Sequence, residues 1–272
     1  MNRFFRFKDI EITNGGTYVL VGTSNLETGS ATKRKVNYID TDGTEYRDIL
    51  YSERLFEISG IIMADDESEM VHAKRKLIEA CSLKDKFRIQ YCNRLNTYSA
   101  ECYFDKLPTF GTRKKWCLPF KLYLTIPGFY WQSRAAQSVA VVEYHDEVAD
   151  TFTLPCVFTS YTNEVEFYNN GDVESYPIFN ITCEEEGKVD KIVIKSITLN
   201  KTITINHAPQ TGEVITINTR EETIHSSLKG NITALATLDC DFFSVLPGYN
   251  HIISEADGNK VVMEFYENYL GV

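Results

Sequence analysis

The 272-residue sequence predicts a mainly β protein with one helix, built as a β-rich N-terminal domain over residues 1–133 and a C-terminal β-sandwich over residues 134–272. Three observations predict it. Only one segment, Asp66 to Leu83, carries apolar side chains at helical spacing. Two runs in the first half alternate apolar and polar residues with period two, the pattern of half-buried strands. The second half is a series of short β-branched and aromatic runs, with turn signals about every 8–12 residues.

The elements follow in order. Leu55-Phe56-Glu57-Ile58-Ser59-Gly60-Ile61-Ile62 reads as a strand leading into the helix. Within the helical segment Met70, Ala73, Leu77, Ile78 and Cys81 share a face, and Asp65, Asp66, Glu67 and Glu69 set negative charge at the positive end of the helix dipole. Phe87-Arg88-Ile89-Gln90-Tyr91-Cys92 is the next strand. Tyr98, Ala100, Cys102 and Phe104 line one face of the first alternating run. Trp116, Leu118, Phe120, Leu122, Leu124 and Ile126 line one face of the second. Phe129-Tyr130-Trp131 then follows Pro127-Gly128, and the cluster reads equally as the plug of a domain core and as an interface anchor.

Ser133 to Ser138 breaks the strand pattern, which places a linker within Gln132 to Asp150. Beyond it Val189 to Lys195, Thr202 to Asn206, Val214 to Asn218 and Lys260 to Tyr266 read as strands. Asn169-Asn170-Gly171-Asp172, Gln210-Thr211-Gly212 and Asp257-Gly258-Asn259 read as turns. In Leu246-Pro247-Gly248-Tyr249-Asn250, Pro fixes φ near about −65° and Gly admits positive φ. That predicts a type II turn between a strand over residues 242–246 and one beginning at Ile252.

Charge separates the halves. Residues 1–133 hold 20 basic and 17 acidic side chains, net +3, while residues 134–272 hold 8 and 21, net −13. An acidic half is a poor partner for a phosphate backbone, and the triplets Lys33-Arg34-Lys35 and Arg113-Lys114-Lys115 read as solvated loop tips. The seven Cys include no C-x-x-C and no pair closer than ten residues, so they read as small buried hydrophobes. The five His are scattered and form no metal-ligand spacing, with His72 and His225 read as surface or interface residues. Glu184-Glu185-Glu186 reads as a solvated turn, and the sequons at Asn180, Asn200 and Asn231 as strand and turn residues. No phosphate-binding loop, dinucleotide fingerprint or nucleophile elbow occurs. The first nine residues are charged before an apolar run can build, and no run approaches the roughly 20 apolar residues of a membrane span. A soluble, cytosolically made protein without catalytic constellation, metal or cofactor is expected.

The run Leu122-Tyr123-Leu124-Thr125-Ile126-Pro127-Gly128-Phe129-Tyr130-Trp131 closing a strand-rich half with one helix resembles the N-terminal domain of the distal tail protein (Dit) family of long-tailed bacteriophages. The second half is similar to the C-terminal module of that family in Tyr176-Pro177-Ile178-Phe179-Asn180-Ile181, Ile192-Val193-Ile194, Gly212-Glu213-Val214-Ile215-Thr216-Ile217-Asn218 and Asp241-Phe242-Phe243-Ser244-Val245-Leu246-Pro247-Gly248-Tyr249-Asn250-His251-Ile252. The resemblance implies a homo-hexameric ring with a central channel, closed by the belt domain on the tail-tube side, and a peripheral galectin-like or carbohydrate-module-like sandwich. It implies a structural virion component at the distal end of the tail, assembled in the bacterial cytoplasm. Its partners would be the tail tube protein, a tail-tip hub protein, and a receptor-binding protein or cell-wall carbohydrate. DNA would pass the channel without specific binding, and no membrane would be engaged. The ring contact is expected along Arg54 to Ile62 and Trp116 to Ile126, with Ile61 and Trp116 as its candidate residues. The alternative is a carbohydrate-binding module for host-surface recognition, with Tyr161, Tyr168, Tyr249 and Tyr266 as platforms; a glycoside hydrolase fragment is a distant third.

Overall fold

Antiparallel strands make up nearly all the regular structure in the computed structural model, which describes residues 3–27, 31–36, 45–148, 157–185, 187–256 and 258–272. The chain divides into two compact units, residues 1–134 with 269–272, and residues 135–268. The acidic half thus returns its last four residues to the first unit, which a boundary drawn on charge does not anticipate.

The first unit contains β1 (Phe4–Phe7), β2 (Ile10–Ile12), β3 (Tyr18–Ser24), β4 (Ala31–Val36), β5 (Glu45–Tyr51), β6 (Arg54–Met63), α1 (Glu67–Ala80), β7 (Phe87–Cys92), β8 (Thr97–Phe110), β9 (Cys117–Ile126) and β10 (Trp131–Ser133). Seven strands run in the order β2-β1-β7-β8-β9-β6-β3, β10 pairs β8, and β4 and β5 form a two-stranded ribbon. β6 and β9 pair along their full length, from Arg54 opposite Ile126 to Met63 opposite Cys117. Alternation sends Phe56, Ile58 and Ile62 inward with Leu118, Phe120, Leu122, Leu124 and Ile126, where they share one core with Met70, Ala73 and Leu77 of α1. Gly60 lies among them because a Cβ there would stand 2.4 Å from the Phe120 ring and 2.9 Å from the Val19 carbonyl. Asp66 caps α1 by accepting the Glu69 N–H at 2.7 Å, and Glu69 reaches back to the Asp65 N–H at 2.8 Å.

The second unit contains β11 (Gln137–Val148), β12 (Val157–Thr162), β13 (Glu164–Asn169), β14 (Ile178–Cys183), β15 (Ile192–Ser196), β16 (Lys201–Ile205), β17 (Val214–Asn218), β18 (Thr223–Ser226), β19 (Gly230–Asn231), β20 (Gly248–Glu255) and β21 (Asn259–Phe265), with β22 (Asn268–Tyr269) at its end. One sheet runs β12-β11-β21-β14-β17-β18-β19 and a second runs β13-β20-β15-β16. Phe179, Ile181, Ile215, Ile217, Val261 and Met263 of the first sheet share a buried cluster with Ile192, Ile194, Ile203, Ile205 and Ile252 of the second. Two sheets closed on one core make a β-sandwich.

Several sequence expectations need correction. Ile78 is 37 % exposed, since one residue is a 100° step round the helix from Leu77 and the buried stripe runs through Leu77 to Cys81. The linker expected within Gln132 to Asp150 lies there but is short, residues 134–136, because β11 takes up the stretch from Gln137 to Val148 and its Val141 and Val142 belong to the sandwich core. Lys33-Arg34-Lys35 lies within β4, paired to β5, rather than in a loop. Residues 242–246 form no strand: Val245 makes an isolated bridge to Ser175, and β20 begins at Gly248 rather than Ile252. The expected strand from Val189 begins only at Ile192.

Candidate functional site

With the inward residues of β6 and β9 committed to the core, their other side faces out. Ile61 lies there, half-buried, and lines an apolar cleft of about 400 Å³ with Val21 of β3, Thr109 and Phe110 of β8, and Pro119 and Lys121 of β9. Leu55 and Met63 occupy the same side of β6, and Val21 is 62 % exposed. The cleft and these side chains leave apolar surface exposed on the outer side of β6 and β9. Charge is present at its side, where Lys121 and Glu57 pair at 3.5 Å and the Lys106 ammonium stands 3.5 Å from the Tyr123 ring centroid. Trp116 is not part of the cleft. It precedes β9, half-buried, with the Arg113 guanidinium 5.9 Å from its ring, and Arg113 is itself gripped by both carboxylate oxygens of Glu67.

The aromatic cluster after β9 is held by a residue the sequence did not single out. Arg54, at the start of β6 and 1 % exposed, donates from Nε to the Phe129 carbonyl at 3.0 Å, from Nη1 to the Leu26 carbonyl at 2.8 Å and from Nη2 to the Leu270 carbonyl at 2.5 Å. Its guanidinium also lies 4.5 Å from the Phe129 ring centroid. Burial lowers its pKa from the ordinary arginine value, and no carboxylate pairs with it among the described residues. Phe129 takes a left-handed φ of 65° to present its carbonyl, Tyr51 stacks on it at 4.6 Å, and Tyr130 meets Tyr51 edge-on at 5.8 Å. Trp131 is fully buried between Phe56 and Tyr91. Trp131 therefore takes the core role and Phe129 is clamped beneath Arg54. The signal in the sequence was an arginine at the first position of an otherwise apolar strand.

At the other motif Gly248 has φ 93°, a conformation that Gly adopts at no steric cost. Asn250, 4 % exposed, donates to the Leu246 and Gly248 carbonyls at 2.7 and 3.0 Å and accepts the Leu246 N–H at 3.0 Å, so one side chain ties both ends of the turn around Pro247. Asn169 reaches the Leu246 carbonyl from β13 at 3.2 Å. These residues serve the backbone.

Glu213 is the most buried titratable group of the sandwich, at 0 % exposure. Burial pushes its pKa up, but the Ser226 hydroxyl, the Gln210 N–H at 2.9 Å and His207 Nε2 at 2.9 Å outweigh it and hold the carboxyl below the usual carboxylate value. The Ser226 hydroxyl donates to Glu213 and accepts the N–H groups of Leu228 and Lys229, which makes a turn-fixing network. Among the thiols, burial drives Cys81 to about 12, and Cys102 and Cys240 also upward, so they stay protonated and inert. Cys156 lies outside the described residues. No group of three or more His, Cys, Asp or Glu among the described residues is arranged to hold a metal ion. Tyr168 and Tyr249 are opposite one another on β13 and β20, 52 % and 80 % exposed, but their rings meet at 82° and share no plane. Tyr266 is half-buried, and the Tyr161 side chain lies outside what is described.

Residues 170–269, which span β14 to β22 and the turn around Gly248, match the family model described as "Siphovirus-type tail component, C-terminal domain". The matched segment makes up most of the sandwich, and a likeness in fold extends to the remainder of the chain. The crystal structure of SPP1 Dit, described as "a Paradigm of Hub Adsorption Apparatus in Gram-positive Infecting Phages", is similar with a TM-score of 0.73 at 11% identity, over 98% of this chain and 98% of that one. Two structures of the phage p2 baseplate in its activated conformation, with Ca and with Sr, are similar with TM-scores of 0.54 and 0.52 at 10% and 9% identity, over all and 99% of both chains respectively. No curated protein sequence matches the chain. At such identity these likenesses speak for the fold.

Proposed function

We propose that this protein is a non-enzymatic hub subunit of a siphovirus-type tail. Six first units close a ring around a channel through which DNA passes without specific binding, and the sandwiches lie at the periphery. The ring joins tail tube to tail tip at the distal end of the virion and carries the host-adsorption apparatus. The observation that carries this reading is the fold likeness to SPP1 Dit across 98% of both chains, which includes the first unit as well as the sandwich matched by the family model. The outward apolar face around Ile61 supports it, since a heterologous ring contact needs a patch that each subunit offers to the next.

The test is the solution mass by light scattering after size exclusion, on the protein and on Ile61→Glu. The expected mass is six times the 31.1 kDa of the chain, falling to that of the monomer in the variant with an unchanged circular dichroism spectrum. A ring that persists with a charge at Ile61 would reject this face as the contact.

A further inference from the structure

The sandwich carries a concavity of its own, apart from the apolar cleft of the first unit. It holds about 460 Å³ and is lined by two carboxylates, Glu174 and Glu222, two cations, Lys201 and Arg220, and Tyr176, Thr219, Phe242 and Ser244. That volume falls in the range of small-molecule pockets, roughly 300–1,000 Å³. Four separate pieces of chain converge on it: the stretch before β14, the start of β16, the β17–β18 turn and the irregular segment before Val245. The polar groups divide into two sets. Glu174 is already engaged, taking the Tyr176 hydroxyl at 3.1 Å on one oxygen and the Ser244 hydroxyl at 2.6 Å on the other. Lys201 and Arg220 have no ion-pair partner among the described residues, although the unit around them is strongly acidic. Residues 135–268 contain seven basic side chains. Three of these are occupied elsewhere: Lys188 on Glu185 at 3.2 Å, Lys195 on Glu255, and Lys229 on His207 Nδ1 at 3.5 Å. Two of the remaining four meet in this pocket.

An exposed Tyr ring, hydroxyls held in fixed directions and two uncommitted cations suit a small polyol or sugar bearing an oxyanion. The guanidinium and ammonium would bind the anion by charge-assisted hydrogen bonds, and the ring and hydroxyls would meet the carbon skeleton and its own hydroxyl groups. We infer that this pocket binds a polyol or saccharide carrying a phosphate or carboxylate group, with Arg220 and Lys201 as the anion-binding residues.

Ligand-observed NMR on the full chain at physiological ionic strength tests it, with glycerol phosphate, glucuronate and glucose as probes. The expected result is binding of at least one anionic probe, no binding of glucose, and about a tenfold loss of affinity in Arg220→Ala and in Lys201→Ala. Both side chains are exposed, so the fold does not depend on them, and Lys260→Ala, also exposed, should leave binding unchanged. Binding of glycerol phosphate alone would identify a phosphodiester-type ligand, and of glucuronate alone a uronate. The inference is overturned if neither anion binds, if glucose binds as well as they do, or if Arg220→Ala leaves the affinity intact.

Discussion

Arg54 is held by three backbone carbonyls instead of a carboxylate, so its removal leaves three acceptors without a donor and a void where a large side chain was fully enclosed. Each orphaned buried acceptor costs about 1–3 kcal/mol. Arg54→Ala should therefore destabilise the first unit by about 3 kcal/mol or more, read as a lowered calorimetric transition, while the sandwich transition stays in place. A loss below about 0.5 kcal/mol, the scale of an ordinary surface substitution, would contradict the clamp. Glu213 gives a prediction in pH. Its folded pKa lies below the unfolded value because Ser226, Gln210 and His207 donate to the charged form more strongly than burial opposes it. A depressed carboxylate stabilises fully above the unfolded pKa, about 4.3, and that contribution is lost as pH falls through the folded pKa. Sandwich stability should thus fall as pH drops below about 4, and Glu213→Gln should flatten that limb. An acid limb identical in the two proteins would remove Glu213 from the account.

At the scale of single elements, the turn at Pro247-Gly248 carries a direct test. Nothing lies within 4 Å of a Cβ added at Gly248, so any cost of a side chain there is conformational and comes from φ 93°. Gly248→Val should lower sandwich stability by about 1–3 kcal/mol in denaturant unfolding, and an unchanged midpoint would refute the strained conformation. The turn was legible because Pro and Gly state their backbone preferences locally, as was α1, where Asp66 and Glu69 mark the start and Met70, Ala73 and Leu77 mark the buried stripe. β9 was legible by its strict alternation from Leu118 to Ile126. β11 was not, because Ala135-Ala136-Gln137-Ser138 looks like a linker until β21 supplies the partner strand that pairs it from Gln137 onward. Arg54 was missed because its partners lie 28, 75 and 216 residues away. The His207–Glu213 pair has its partners within 13 residues, but only the folded turn and the β17–β18 pairing bring Gln210 and Ser226 onto the carboxylate. Ile61 and Trp116 were both candidates in the sequence, yet only Ile61 lines the apolar cleft, since Trp116 lies just before β9 and in phase with its inward residues Leu118 to Ile126.

For the molecule as a whole, two independently packed cores divide the work. The first unit spends its inward residues on one sheet and one helix and leaves apolar side chains such as Val21, Leu55 and Met63 facing out. The sandwich encloses its own core and offers polar concavities on an acidic surface, which suits contact with partners more than with nucleic acid. The ring hypothesis predicts how these halves are used, and negative-stain class averages of the purified protein test it most directly. The predicted result is a six-fold ring with a stain-filled centre and the sandwiches outermost. Single compact particles without rings, both for the protein alone and after mixing with tail tube and tail tip proteins, would contradict the assignment.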